Sequence, residues 1–112
     1  MEFKIEEHDN HAIVVLTGKI MGGPEDVELR GAIQKLIDQD KVRFVLDFAG
    51  VNWINSLGLS LCIYALVTAR NHGGEVRLAQ VPDQVHKLIT NCALDQMLMI
   101  DDTVEGAVAA LK

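Results

Sequence analysis

The residue whose side chain could most plainly take part in a reaction is Ser56. Its hydroxyl lies in VNWINSLGLSLCIYAL (51–66), where an apolar run is followed by a mostly apolar predicted helix. A serine nucleophile needs a nearby base and a group that orients that base. The four histidines supply no obvious base, because they fall in or beside the first hairpin (His8, His11), at the far end of the Ser56 helix (His72) and on a later helix (His86). The strained Gly-x-Ser-x-Gly elbow is also absent, since the local string is Ile-Asn-Ser-Leu-Gly. We therefore expect the protein not to be an enzyme.

Phosphate-binding and metal-binding motifs are also not indicated. The chain has no Gly-x-x-x-x-Gly-Lys-Ser/Thr loop, and GKIMGGPE at 18–25 is better explained as a turn followed by a helix start. Cys62 and Cys92 lie in apolar surroundings and have neither Cys-x-x-Cys nor zinc-finger spacing. The sequence predicts both as reduced core residues in a reducing compartment, with no metal and no cofactor.

The charge balance narrows the class of partner. Ten Lys and Arg stand against sixteen Asp and Glu, for a formal net charge of −6, and the cations are scattered along the chain. A nucleic-acid binder normally presents a basic face, and an acidic chain is also repelled by an anionic membrane. We expect no signal peptide, because residues 1–20 lack a positively charged segment followed by an apolar one, and the longest apolar run, 57–69, is shorter than the roughly 20 residues of a membrane span. We expect a cytoplasmic protein that binds a protein partner or a small ligand.

The hydrophobic pattern predicts one α/β domain over residues 1–112, a mixed β-sheet with helices packed against it, in the order β-β-α-β-α-β-α-β-α. Asp9-Asn10 suits the turn of an initial hairpin, and Pro24 suits the first position of a helix whose apolar face includes Val27 and Ile33. Asp102 is the predicted cap of the last helix. Strands are expected at 3–9, 11–20, 42–50, 75–81 and 96–100, and helices at 24–39, from 55–56 to the stop signal at 71–74, at 82–90 and after 102.

This order places Ser56 at a functional edge of the sheet. The loops at 18–24, 49–56 and 80–83 each follow a strand, and the carboxyl ends of parallel strands lie at one edge, where open α/β sheets bind ligands and partners. The simplest role for Asn55 or Ser56 is a helix cap, which stabilises by about 1 kcal/mol. A cap does not explain the apolar turn that follows, and Gly58 indicates close approach of another backbone. The predicted partner-contact residues at this edge are Met21, Gly22, Gly23, Asn55, Leu57, Gly58 and Leu59.

The stretch VLDFAGVNWINSLGLSLCIYAL resembles the signature of the STAS domain family, the anti-sigma factor antagonists. That signature is a hydrophobic strand, Asp-hydrophobic-x-x-Val-x-x-hydrophobic, and then Asp-Ser-Ser/Thr-Gly-Leu at the start of a helix. The likeness continues in LTGKI, GGEVRLAQV and LITNCALDQML. The residues in register with the signature are Asp47, Val51, Ile54, Ser56, Gly58 and Leu59.

The resemblance implies that Ser56 is phosphorylated by a partner that is both a serine kinase and an anti-sigma factor, and that a phosphatase reverses the modification. Two positions depart from the family pattern: Asn55 replaces its Asp, and Leu57 replaces its second Ser or Thr. On this reading the unphosphorylated protein binds the anti-sigma factor and frees the sigma factor. The alternatives are an unphosphorylated STAS scaffold, or a module that holds a nucleotide or other anion at Gly22, Gly23 and the helix start. The sequence leaves the oligomeric state open.

Overall fold

The computed structural model describes residues 1–111 and contains the nine elements in the predicted order. Most boundaries agree with the sequence-based expectation to within a few residues. The third strand is longer than predicted, because it continues past Gly50 to Ile54. The elements are β1 (Glu2–Glu7), β2 (Ala12–Ile20), α1 (Pro24–Asp38), β3 (Arg43–Ile54), α2 (Ser56–Asn71), β4 (Glu75–Ala79), α3 (Asp83–Asn91), β5 (Met99–Asp101) and α4 (Val104–Ala110).

The five strands form one mixed sheet in the order β1-β2-β3-β4-β5. The hairpin strands β1 and β2 are antiparallel, whereas β2, β3, β4 and β5 are mutually parallel because a helix connects each pair. At the carboxyl edge Ile20 of β2 lies opposite Ile54 of β3. The predicted fold class, a mixed sheet with helices packed against it, is confirmed.

Helices cover both faces of the sheet, but unequally. Phe44, Leu46 and Phe48 point from β3 into the main core, which α1, α2 and α3 close. Val45 and Ala79 point to the other face, where they are buried with Ala107 and Leu111 beneath the short α4. Burial on both faces explains why the middle of β3 reads as a continuous apolar run.

Three local predictions were wrong. Val27 is 70% exposed, and Leu29 takes its place in the buried face of α1. Thr103, not Asp102, caps α4, since its Oγ1 accepts a hydrogen bond from the Gly106 N–H at 3.0 Å. Cys92, predicted in the core, is exposed at the C-terminus of α3.

The carboxyl edge of the sheet is stepped. β4 ends at Ala79, which lies opposite Asp47, while β3 continues to Ile54. Gln80, the residue after β4, lies near Asp47 rather than near the end of β3, and its Nε2 donates a hydrogen bond to Asp47 Oδ1 at 3.0 Å. The loop after β4 therefore begins at a lower level than the loop after β3, but it leads into α3, whose first residues Gln84 and Val85 line a groove together with Ser56. Within residues 1–111, no helix has the length and apolar character that a membrane crossing requires.

Gly58 is where α2 meets the end of β2. A Cβ built on Gly58 would lie 2.5 Å from the Ile20 carbonyl oxygen and 2.5 Å from Ile54 Cγ1. Real side chains do not tolerate such distances, so the start of α2 can rest on β2 only without a side chain here. The close backbone approach predicted from the early glycine is confirmed.

We predict that Gly58→Ala destabilises the fold by about 2 kcal/mol or more, because the methyl group displaces α2 from the Ile20 carbonyl. Urea unfolding followed by circular dichroism gives the free energy of unfolding. Gly31→Ala is the matched control: it also lies within a helix, and an added Cβ meets nothing within 4 Å. That control should gain about 0.5–1 kcal/mol from helix propensity. Equal stability of the Gly58 variant and the wild type would contradict the close contact.

We also predict that the two thiols react differently. Burial raises the pKa of Cys62 from 9.0 to about 12, and the nearby Asp26 carboxylate adds to the rise. A thiol reagent at pH 8 should therefore label only Cys92 in the native protein and both cysteines in denaturant. Between pH 9.0 and about 12 only the unfolded chain ionises Cys62, so stability should fall as the pH rises through this window. Native labelling of a Cys92→Ser variant would show that Cys62 is accessible.

Candidate functional site

Asn55 joins the start of α2 to the loop after β2. Its Oδ1 accepts a hydrogen bond from the Gly58 N–H at 3.1 Å, which caps the helix, and its Nδ2 donates to the Met21 carbonyl at 3.4 Å. Its own backbone N–H donates to the Ile20 carbonyl at 3.2 Å. An aspartate could make the cap but could not donate to Met21, so the amide at this departure from the family motif has a structural reason.

Ser56 is the first residue of α2 and is exposed. The first N–H groups of a helix have no intrahelical acceptor, so the amides of Ser56 and Leu57 lie at the positive end of the helix dipole. The first turn of α2 contains no acidic residue that would neutralise this end. A negative group attached to the Ser56 hydroxyl would therefore enter a favourable field.

Exposed apolar side chains flank Ser56. Met21 is 45% exposed, Trp53 51% and Leu57 57%, and these three are half of the six large hydrophobic residues that the described chain exposes. We call Met21, Trp53 and Leu57 the edge patch. Gly22 holds its loop against Leu57, because a Cβ there would lie 2.9 Å from Leu57 Cδ1. Clustered apolar exposure of this kind typically marks a contact surface for a partner.

The predicted contact residues separate into two groups. Met21, Gly22, Gly23 and Leu57 are exposed and Asn55 is partly exposed, so all five are at the surface. Gly58 is buried and Leu59 is only 3% exposed. The expectation that these last two contact a partner is wrong, because both face the core under α2. Gly58 and Leu59 instead pack α2 against the sheet and so hold the exposed residues in place.

A groove of about 390 Å³ opens beside Ser56, between the end of β3 and α3. The α3 side was missed by sequence reasoning, and so was Trp53. The available sequence signal for Trp53 was that the chain's single tryptophan stands two residues before Asn55, one of the two candidate helix caps. The lining residues are Trp53, Ile54, Asn55, Ser56, Gln84, Val85, Lys87, Leu88 and Asn91.

A second hollow, of about 240 Å³, lies on the other side of the loop, beside Gly22 and Gly23. Its lining includes Lys19 but also the acidic residues Glu25 and Asp26. Asp26 is 8% exposed, and its Oδ1 has no hydrogen-bond partner among the described residues. Two carboxylates repel an anion, so this hollow is poorly suited to a nucleotide phosphate.

The groove beside Ser56 contains no carboxylate from the described residues that could act as its base. No histidine from the described part of the chain lines its groove. His8 stacks on His11 at 4.7 Å in the first hairpin, and His72 Nδ1 lies 2.9 Å from the Thr68 carbonyl near the other end of α2. Across residues 1–111, no cluster of three or more His, Cys, Asp or Glu could hold a metal ion.

Comparison with known proteins identifies the fold. The family model described as the STAS domain matches residues 2–107. The anti-sigma factor antagonist SpoIIAA in its unphosphorylated form has a TM-score of 0.77 at 16% identity, covering 97% of this chain and 96% of that chain. The Bacillus cell fate determinant SpoIIAA in its phosphorylated form has a TM-score of 0.78 at 18% identity, covering 99% and 100%.

Two further structures widen the range of functions carried by this fold. A Thermotoga maritima protein, a candidate anti-sigma factor antagonist, has a TM-score of 0.88 at 17% identity and covers 97% of this chain and 93% of that chain. A sulfate transporter family protein from Wolinella succinogenes has a TM-score of 0.70 at 15% identity, with coverage of 88% and 82%. At these identities the likeness concerns the fold alone. The family model nonetheless spans almost the whole sequence, and the chain belongs to the STAS domain family.

Proposed function

We propose that this protein is an anti-sigma factor antagonist. It binds an anti-sigma factor through the edge patch and so frees a sigma factor, and phosphorylation of Ser56 ends the interaction. The observation that carries the proposal is the position of Ser56: an exposed hydroxyl at an unneutralised helix N-terminus, flanked by Met21, Trp53 and Leu57. The similarity in fold to SpoIIAA, solved in phosphorylated and unphosphorylated forms, supports it.

The switch follows from the two properties of this site. A phosphoryl group carries about −1.5 to −2 charges at pH 7, and the start of α2 can accept that charge without loss of the fold. Once the phosphate is present, the partner cannot bury the edge patch without also taking this charge out of water. That step is costly unless a cation of the partner pairs with the phosphate. The unphosphorylated protein therefore binds, and the phosphorylated protein dissociates.

The proposal makes the protein the substrate of a kinase and not a catalyst. The serine kinase activity belongs to the anti-sigma factor, and a phosphatase restores the unphosphorylated form. The acidic chain and its free cysteines fit a regulator of transcription that acts in a bacterial cytoplasm by protein contact, without binding nucleic acid or membrane.

The main alternative is a STAS scaffold that binds its partner without phosphorylation. The neutral Asn55 favours it, because the family's carboxylate is absent beside the acceptor serine. An anion-binding module at Gly22 and Gly23 is less well supported, since Glu25 and Asp26 line the adjacent hollow. A phosphotransfer assay distinguishes the unphosphorylated scaffold from the proposed function.

We predict that the cognate anti-sigma kinase and ATP add one phosphate, at Ser56. Mass spectrometry of the intact protein and its peptides measures the number and position of phosphates. Ser60 is also exposed, one turn further into α2, and is a control for accessibility. Ser56→Ala should abolish the modification and Ser60→Ala should leave it unchanged. Absence of phosphate with a kinase that demonstrably binds would favour the scaffold.

We predict that Met21→Glu weakens binding of the anti-sigma factor by about 100-fold, since a charge would be desolvated in the contact. Affinity can be followed through the fluorescence of Trp53, the only tryptophan. Val67→Glu is the matched control, because Val67 is 41% exposed on α2 outside the edge patch and receives the same charge. Gly22→Glu is less informative: Gly22 has φ +77° and contacts Leu57, so any side chain there strains the loop. Equal weakening by Val67→Glu would place the partner elsewhere.

A further inference from the structure

The groove beside Ser56 has one charged residue in its lining. Ser56 lies on one wall and Lys87, from α3, on the other. The remaining lining residues are apolar or neutral polar, and none is a carboxylate. A phosphate on Ser56 would thus share its groove with an ammonium group and with no competing acid.

Lys87 is available for such a contact. It is exposed, and the ion pairs of the described chain use Arg30, Lys41, Arg70 and Arg77 instead. The charged and titratable neighbours on its own helix are Asp83, one turn earlier, and His86. Asp83 is at a spacing that permits an ion pair but does not form one within 4.0 Å. From the β3 and α2 side, the groove presents only neutral side chains.

We infer that Lys87 holds the phosphate of phosphorylated Ser56 across this groove. The inference rests on the proposed function in one respect, the choice of Ser56 as the modified residue. Lysine acts as a mobile point charge on a long stem, so it can reach a phosphate oxygen without the fixed geometry that arginine requires. The contact joins α3 to the start of α2, elements that face each other across the groove in the unmodified protein.

The contact between Lys87 and the phosphate would affect partner binding in a second way, in addition to the added negative charge. The phosphate and the Lys87 side chain together occupy the mouth of the groove, next to Trp53. A partner that inserts a side chain there loses the space and loses access to the ammonium group. Lys87 is therefore a positioning residue for the phosphorylated state, distinct from the edge patch that the partner covers.

The test is a titration of the phosphate with no kinase present. Phosphoserine is incorporated at position 56 during translation, and the ³¹P chemical shift is followed against pH. A nearby cation favours the dianion, so the second pKa of the phosphate should be about 0.5 higher in Lys87→Gln than in the wild type at low salt. The difference should shrink in 1 M NaCl, and Lys87→Arg, which keeps the positive charge, should stay closer to the wild-type value than Lys87→Gln.

Lys19→Gln is the matched control. Lys19 is also exposed near the carboxyl edge, next to Trp53 in the strand register, but it lines the hollow with Glu25 and Asp26. The same charge is removed, and the phosphate pKa should change by less than half as much. An unchanged pKa in Lys87→Gln, or an equal change in Lys19→Gln, would overturn the inference. Neither result depends on the anti-sigma factor, so failure here is distinguishable from failure of the proposed function.

Discussion

The contact between Gly58 and the Ile20 carbonyl is the constraint on which the site depends. It lets α2 begin directly against the end of β2, with the Asn55 backbone N–H bonded to the same carbonyl at 3.2 Å. A side chain at position 58 would push the helix outward and separate Ser56 from the loop after β2. The absence of one methyl group therefore keeps the edge patch and Ser56 together.

The residues around the start of α2 are neutral, and this determines the electrostatics of the site. Met21, Asn55 and Leu57 carry no charge, so the positive end of the α2 dipole is not compensated by its neighbours. An anion added at Ser56 meets no carboxylate in the first turn of α2 or in the described lining of the groove. The Asn55 amide also ties two loops together by donating and accepting, which a carboxylate cannot do.

The stepped sheet edge explains why α3 takes part. Because β3 continues past the last residue of β4, the end of β3 stands above its neighbour and leaves a space that α3 borders. This difference in strand length leaves room for the groove, and Lys87 of α3 is the one charged residue in its described lining. Under our proposal, a phosphate on Ser56 would contact α3, the helix that follows α2 after one further strand in the sequence.

The sequence by itself determined the element order, a helix cap at Asn55 or Ser56, the close approach at Gly58 and the position of Ser56 at the carboxyl edge. These depend on signals that act over a few residues, such as capping, helical periodicity and the conformational freedom of glycine. Only the tertiary structure decided that Leu59 faces the core, that Cys92 is exposed, and that Trp53 and Lys87 border the site. Burial and proximity depend on what packs against a residue, and for Trp53 and Lys87 they also depend on how far β3 extends beyond β4, which no local pattern encodes.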